Sequence, residues 1–117
     1  MKTILIVEET ELNIDLLTQI LEDEYTLIVA RDGATGVAMA EENRPDLVLM
    51  DIAMPVMDGY EAARRIRRNS PSLPILGVSS HAMAGDAELA RAAGCNDYVT
   101  KPIDEDVLLA KIHAQLE

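Results

Sequence analysis

Two short stretches, Ile4-Leu5-Ile6-Val7 and Leu47-Val48-Leu49-Met50, are apolar at every position instead of at every second one. A strand wet on one face alternates apolar and polar residues, so an unbroken run needs cover on both faces. That is the situation of a parallel sheet held between two layers of helices. Three more short runs fit the same part: Thr26 to Ala30, Ile75 to Val78 and Tyr98 to Thr100. Stretches of helical spacing lie between them. In the first, Leu12, Leu16, Leu17, Ile20 and Leu21 share a face; the second, Ala34 to Asn43, is alanine-rich and broken by Pro45. A third runs from about Tyr60 to Arg68 and is closed by Pro71 and Pro74. The fourth, Asp86 to Ala93, stops at Gly94, and the last covers about Asp104 to Leu116. Strand–helix alternation of this kind, with right-handed crossovers, predicts an open doubly wound α/β sheet, a mixed α+β domain being the alternative.

The 117 residues make one domain, large enough to bury a core without disulfide or metal staples. A lone cysteine excludes a disulfide framework and a zinc cluster and suits a reducing compartment. No apolar run approaches the roughly 18 residues that span a bilayer. The apolar stretch after Met1-Lys2-Thr3 is too short for a signal peptide. Twenty-one acidic against ten basic residues, a formal charge of -11, argue against a nucleic-acid surface. A soluble, acidic, cytoplasmic domain is expected, with neither nucleic acid nor membrane as a direct partner.

All strands of a parallel sheet point one way, so their C-terminal ends share the edge where ligands bind. Glu8 and Glu9 follow the first strand, Arg31, Asp32 and Gly33 the second, and Asp51 the third. Ser79 and Ser80 end the fourth, Thr100 and Lys101 the fifth. Three carboxylates, a hydroxyl and an ammonium converge if strands one and three are neighbours, as in the flavodoxin-like strand order 2-1-3-4-5. Carboxylates held that close repel by about 4 kcal/mol per pair at 4 Å and an effective dielectric of 20. Protons, Lys101 or a divalent cation must offset this, and an all-oxygen set beside a phosphoryl group suits Mg²⁺. Aspartyl phosphate chemistry is the natural expectation.

The acidic pair, the segment Asp51-Ile52-Ala53-Met54-Pro55-Val56-Met57-Asp58-Gly59, Ser79 and Lys101-Pro102 together resemble the receiver domain of bacterial two-component response regulators. The likeness runs from Ile4 to Leu116, with every motif on the appropriate strand end. It implies that Asp51 accepts a phosphoryl group from a histidine kinase or histidine phosphotransfer protein in a Mg²⁺-dependent reaction. It further implies a metal held by Glu8, Glu9, Asp51 and the Ala53 backbone carbonyl, with Lys101 and Ser79 binding the phosphoryl group. Tyr98 matches the aromatic switch position, although packing with a polar tip is a rival reading. Lys101-Pro102 matches a cis peptide. The implied output is a surface read by a downstream protein target, an effector domain, or a second copy through the fourth-helix, fifth-strand and fifth-helix face. Such a chain is no enzyme beyond its own phosphorylation and dephosphorylation. With no effector domain after Leu116, both a stand-alone receiver and a piece of a regulator or hybrid kinase fit.

Glu9 departs from the family, which nearly always has Asp there. Its extra methylene moves a metal ligand outward, and Mg²⁺ tolerates distorted geometry badly. A phosphorylation-independent binding module is therefore the alternative function. Ser79 replaces the commoner Thr, Ser80 the usual Ala, and Ala53 and His81 stand where the family tunes phosphoryl lifetime. Flavin or nucleotide binding would need a phosphate cradle after the first strand, where Glu8-Glu9-Thr10-Glu11 would repel an anion. A haloacid-dehalogenase-type phosphatase would carry its nucleophile after the first strand and a second acid where Ala53 stands. Other features read as structural: Asp58-Gly59 as cap and turn, Arg64, Arg65, Arg67 and Arg68 as a solvated basic face, Cys95 as core filler. His81 and His113 lack metal-ligand spacing.

Overall fold

The computed structural model describes residues 1–52, 59–79 and 86–116. Five strands alternate with five helices: β1 Thr3–Val7, α1 Glu11–Leu21, β2 Thr26–Ala30, α2 Gly33–Asn43, β3 Leu47–Asp51, α3 Gly59–Asn69, β4 Ile75–Ser79, α4 Asp86–Ala92, β5 Asp97–Thr100 and α5 Glu105–Leu116. The strands form one parallel sheet in the order β2-β1-β3-β4-β5. This is the expected flavodoxin-like topology, in which the order of winding across the sheet reverses between the neighbours β1 and β3.

The unbroken apolar runs are explained by the two cores. Side chains of successive strand residues point to opposite faces. Leu5, Val7, Val48, Met50 and Ile75 pack with Ala40 of α2, Ala62, Ala63 and Ile66 of α3, and Ala90 of α4. Ile4, Ile6, Leu47, Leu49, Leu76, Val78 and Val99 pack on the other face with Leu17 and Leu21 of α1 and Leu108 and Ile112 of α5. All residues of β3 and β4 are buried, whereas edge strand β2 is buried only at Ala30. On the edge, one flank has no neighbouring strand.

Element ends shift by a residue from expectation, and caps account for two of the shifts. Asp32 lies outside α2 and accepts the Thr35 N–H at 2.7 Å, so the helix starts at Gly33. That bond holds the Asp32 carboxyl below its ordinary pKa. Asp104 likewise lies outside α5 and accepts from the Asp106 and Val107 N–H groups at 2.9 and 3.2 Å. An oxygen that satisfies otherwise orphaned first-turn donors stands at the N-cap, not inside the helix. At the other end of α2, Arg44 takes a left-handed conformation (φ 46°) just before Pro45. Cys95 is core filler as expected, and burial pushes its thiol up to about 11, against the pull of Arg67.

Candidate functional site at the C-terminal sheet edge

Strand register brings the rim residues to one level. Val7 is paired with Met50, Asp51 with Val78, and Ser79 with Thr100. The residues after these pairs continue the ladders. The Glu8 N–H donates to the Ala30 carbonyl at 3.0 Å, that of Ile52 to Val78 at 3.0 Å, and that of Lys101 to Ser79 at 2.6 Å. Glu8, Asp51, Ser79 and Lys101 thus sit on backbone that the sheet itself holds. The Lys101-Pro102 peptide is cis, as the resemblance implied.

Burial singles out the same residues. Among the described residues, the buried polar or charged side chains are Glu8 (1% exposed), Asp51 (5%) and Ser79 (5%). Burying a carboxylate is costly unless a charge and hydrogen bonds compensate it. Lys101 supplies the charge: its Nζ is 3.2 Å from Glu8 Oε1 and 3.9 Å from Asp51 Oδ1. The second oxygen of Glu8, Oε2, accepts the Thr10 N–H at 3.2 Å, at the start of α1. Thr10 makes no side-chain cap of its own. One half-buried ammonium therefore faces two buried carboxylates, and these three groups carry a formal excess of one negative charge.

Glu9 stands apart from this group. Its side chain is exposed, and among the described residues no three His, Cys, Asp or Glu side chains gather as a metal cage. Ala53, the fourth expected ligand, lies outside the described residues, as do Met54, Pro55, Asp58, Ser80 and His81. The two carboxylates that share Lys101 are hard oxygens of the kind that suit Mg²⁺, which keeps several waters and needs only one or two carboxylates. Tyr98 is half-buried and packs on the α2–α3–α4 side of the sheet.

Two residues have parts that local patterns did not disclose. Gly59 does more than turn the chain into α3. Its N–H donates to the Ile52 carbonyl at 3.0 Å, and a Cβ there would press on the Asp51 carbonyl oxygen and Ile52 Cα. Arg67 is not part of the solvated basic face, since its guanidinium turns inward onto Gly94, Asn96, Ser70 and Pro71. The rest of that face is as expected. Arg64, Arg65 and Arg68 surround Glu61 at 3.2, 3.1 and 4.0 Å. Elsewhere, His113 pairs with Glu24 at 3.0 Å, and Asp97 with Lys111 at 2.9 Å. Burial raises the Asp97 pKa, but the Lys111 bond and the Tyr98 N–H outweigh it, so the carboxyl titrates below its ordinary value. No helix among the described residues is long and apolar enough to cross a membrane.

Known proteins resemble this chain in sequence and fold. The profile of the response regulator receiver domain matches residues 4–113. Protein PilH of Pseudomonas aeruginosa is 36% identical over 119 residues, covering 99% of this chain and 98% of that protein. The polar-differentiation response regulator DivK of Brucella anthropi is 36% identical, covering 98% and 96%. Among solved structures, the Vibrio cholerae chemotaxis protein CheY4 superposes with a TM-score of 0.93 at 27% identity, over 99% of both chains. The receiver domain of a Pseudomonas aeruginosa sensor histidine kinase, solved with a magnesium ion in its active-site cleft, gives 0.91 at 35% identity, covering 98% and 97%. With its fold, its buried rim and these likenesses taken together, the chain belongs to the response regulator receiver domain family of two-component signalling.

Proposed function

We propose that this receiver is a phosphorylation-controlled switch whose phosphoryl acceptor is Asp51. The observation that carries the reading is the coincidence of burial and chemistry: the buried polar side chains among the described residues are an acid beside β1, the acid ending β3 and the hydroxyl ending β4. A core does not keep such groups without a use for them. The phosphoryl donor is a histidine kinase or a histidine phosphotransfer protein. A carboxylate oxygen of Asp51 forms the new bond to phosphorus while the bond from phosphorus to the donor's imidazole nitrogen breaks, and that nitrogen ends protonated. Lys101 neutralises charge on the acceptor and phosphoryl oxygens, and the Ser79 hydroxyl donates a hydrogen bond to one of them. Glu8 and Asp51, with Glu9 and the Ala53 carbonyl, would hold Mg²⁺, which when bound offsets the excess negative charge that the transferring group increases. A magnesium ion in the active-site cleft of the sensor-kinase receiver supports that choice.

Hydrogen bonding by Ser79 and inward packing of Tyr98 shift the balance between two arrangements of the α4–β5–α5 face, which a downstream protein, an effector domain or a second copy reads in the cytoplasm. The chain turns over no substrate besides its own phosphoryl group.

The test is intact-mass measurement after incubation with acetyl phosphate, with and without Mg²⁺. The expected result is one Mg²⁺-dependent phosphoryl adduct, absent from Asp51→Asn. An equal adduct in Asp51→Asn would place the acceptor elsewhere. No adduct in the folded parent from either acetyl phosphate or a histidine kinase would favour the phosphorylation-independent module that Glu9 raises. A second expectation concerns Glu9 itself. Shortening it in Glu9→Asp should tighten Mg²⁺ binding roughly fivefold or more, because a compact octahedral ion is sensitive to a displaced ligand. Titration calorimetry that finds equal affinities would remove Glu9 as the cause of any weakness.

A further inference from the structure

Among its described side chains, helix α4 buries little. Of its side chains from Glu88 to Ala92, only Ala90 is buried, and Leu89 is 55% exposed. By contrast, α1 buries Ile14, Leu17 and Leu21, and α3 buries Ala62, Ala63 and Ile66. Its C-terminal end is anchored by the turn after it. The Cys95 N–H donates to the Ala90 carbonyl at 2.9 Å and the Gly94 N–H to Arg91 at 3.0 Å, around Gly94 at φ 109°. This pair of bonds about a left-handed glycine is a Schellman ending. Arg67 of α3 covers it. Its Cβ and Cγ lie 3.0 and 3.1 Å from the place a Gly94 Cβ would occupy. Its Nε and Nη2 both donate to the Gly94 carbonyl, at 3.1 and 2.6 Å.

The same guanidinium reaches three further acceptors. Nη2 donates to Asn96 Oδ1 at 2.7 Å, and Nη1 to the Pro71 and Ser70 carbonyls at 2.9 and 3.3 Å. Asn96 in turn bridges to β4: its Oδ1 accepts the Ile75 N–H at 2.9 Å and its own N–H donates to the Ile75 carbonyl at 2.7 Å. Every donor nitrogen of one arginine is thus used to tie the end of α3, the start of β4 and the turn from α4 to β5. The other end of α3 rests on the phosphoacceptor strand through Gly59.

We infer that Arg67 is the pivot of α4: it fixes the C-terminal end of that helix against α3 and β4, so that a response arising at Ser79 becomes a swing of the α4 N-terminal end instead of detachment of the helix. The inference deepens the switch reading above and rests on it for the direction of the response. The clamp itself does not depend on phosphorylation, which lets the two be tested apart.

Hydrogen exchange read by mass spectrometry on the full chain separates them. In Arg67→Met, which keeps the aliphatic stem but loses the fork, amides of residues 88–96 should exchange about tenfold faster or more, equivalent to about 1.4 kcal/mol. Peptides from α1, α2 and α5 should change little. Arg67→Lys should fall between parent and Arg67→Met, since one ammonium cannot serve both connections. Should Arg67→Met not fold, Arg67→Lys and Asn96→Ala carry the same comparison. Uniform acceleration over all peptides, or none in 88–96, overturns the pivot. With acetyl phosphate and Mg²⁺, parent and Arg67→Met should gain the same adduct, but the exchange response around α4 should be confined to its N-terminal half only in the parent. A response spread equally over the helix in both proteins also overturns it. A parent that takes up no phosphoryl group from either acetyl phosphate or a histidine kinase overturns the switch reading while the unphosphorylated comparison still decides the clamp.

Discussion

Gly59→Ala should lower the unfolding free energy by about 3 kcal/mol, at the upper end of what overpacking costs. The reason lies in what the new methyl group would meet. Its neighbours are the Asp51 carbonyl oxygen and Ile52 Cα, both backbone, and both in or just after the central strand β3. Neither can turn aside as a side chain does. Relief requires α3 to retreat from the sheet, breaking the bond from the Gly59 N–H to the Ile52 carbonyl, or β3 to shift at Asp51 itself. Helix propensity offers little in return, because Gly59 is the first residue of its helix. Gly77→Ala is the control. A Cβ there meets the tip of Ile52, Cδ1 at 2.9 Å, which can rotate, so the cost should stay near 1 kcal/mol. Urea denaturation of the three proteins checks the order, and equal midpoints for both variants would refute it. In the folded fraction, Gly59→Ala should also take up phosphoryl from acetyl phosphate about tenfold more slowly or worse, since small displacements of a reacting group cost that much.

Lys101→Met is the second large effect. It removes the ammonium that faces Glu8 Oε1 at 3.2 Å and Asp51 Oδ1 at 3.9 Å, and so takes the charge of Lys101 away from two buried carboxylates. Breaking a buried pair from one side costs about 3–5 kcal/mol. Lys101 keeps 21% of its side chain exposed, so about 3 kcal/mol is expected here. At an m-value of about 1.5–2 kcal/mol/M, the urea midpoint should fall by about 1.5–2 M. Glu8→Gln in the same background should recover part of the loss by removing one of the two like charges. Mg²⁺ should stabilise Lys101→Met more than the parent, because the variant's carboxylates have lost the Lys101 charge. A midpoint unchanged by the substitution would mean that the ion pair contributes nothing to the fold.

Much of this molecule was legible in the order of its residues, and what was not shares one physical character. The all-apolar runs named β1 and β3 because burial on two faces leaves no polar position, and the acids and Lys101 at the run ends marked the rim. Element ends slipped by one residue at Asp104 because a cap and a first helical residue share the same composition, and only the hydrogen bonds tell them apart. Gly59 was read incompletely and Arg67 was placed on the wrong face, for a stronger reason. The first looks like a turn residue and the second like one of a cluster of four arginines, yet each acts through contacts outside its own helix: Gly59 with the backbone of residues 51–52, Arg67 with the Gly94 carbonyl and the Asn96 side chain. No period of 2 or 3.6 encodes a contact across such distances. Glu9 and Glu8 are neighbours of the same type, but only Glu8 is buried. A local pattern could pair them but could not place them in different solvents.

The central strands have a consequence for how this chain tolerates change. β3 and β4 present no exposed residue, and β1 is buried from Ile4 onward. The acid and hydroxyl positions are set from this dry interior, whereas Asp15, Gln19, Glu41 and Glu42 on the outer helix surfaces are exposed. Substitutions there are close to neutral for the fold and leave the rim where it is. Drift on the outside can therefore alter whom the domain meets while the inside preserves what it does. A chain 27% identical to this one still superposes with a TM-score of 0.93.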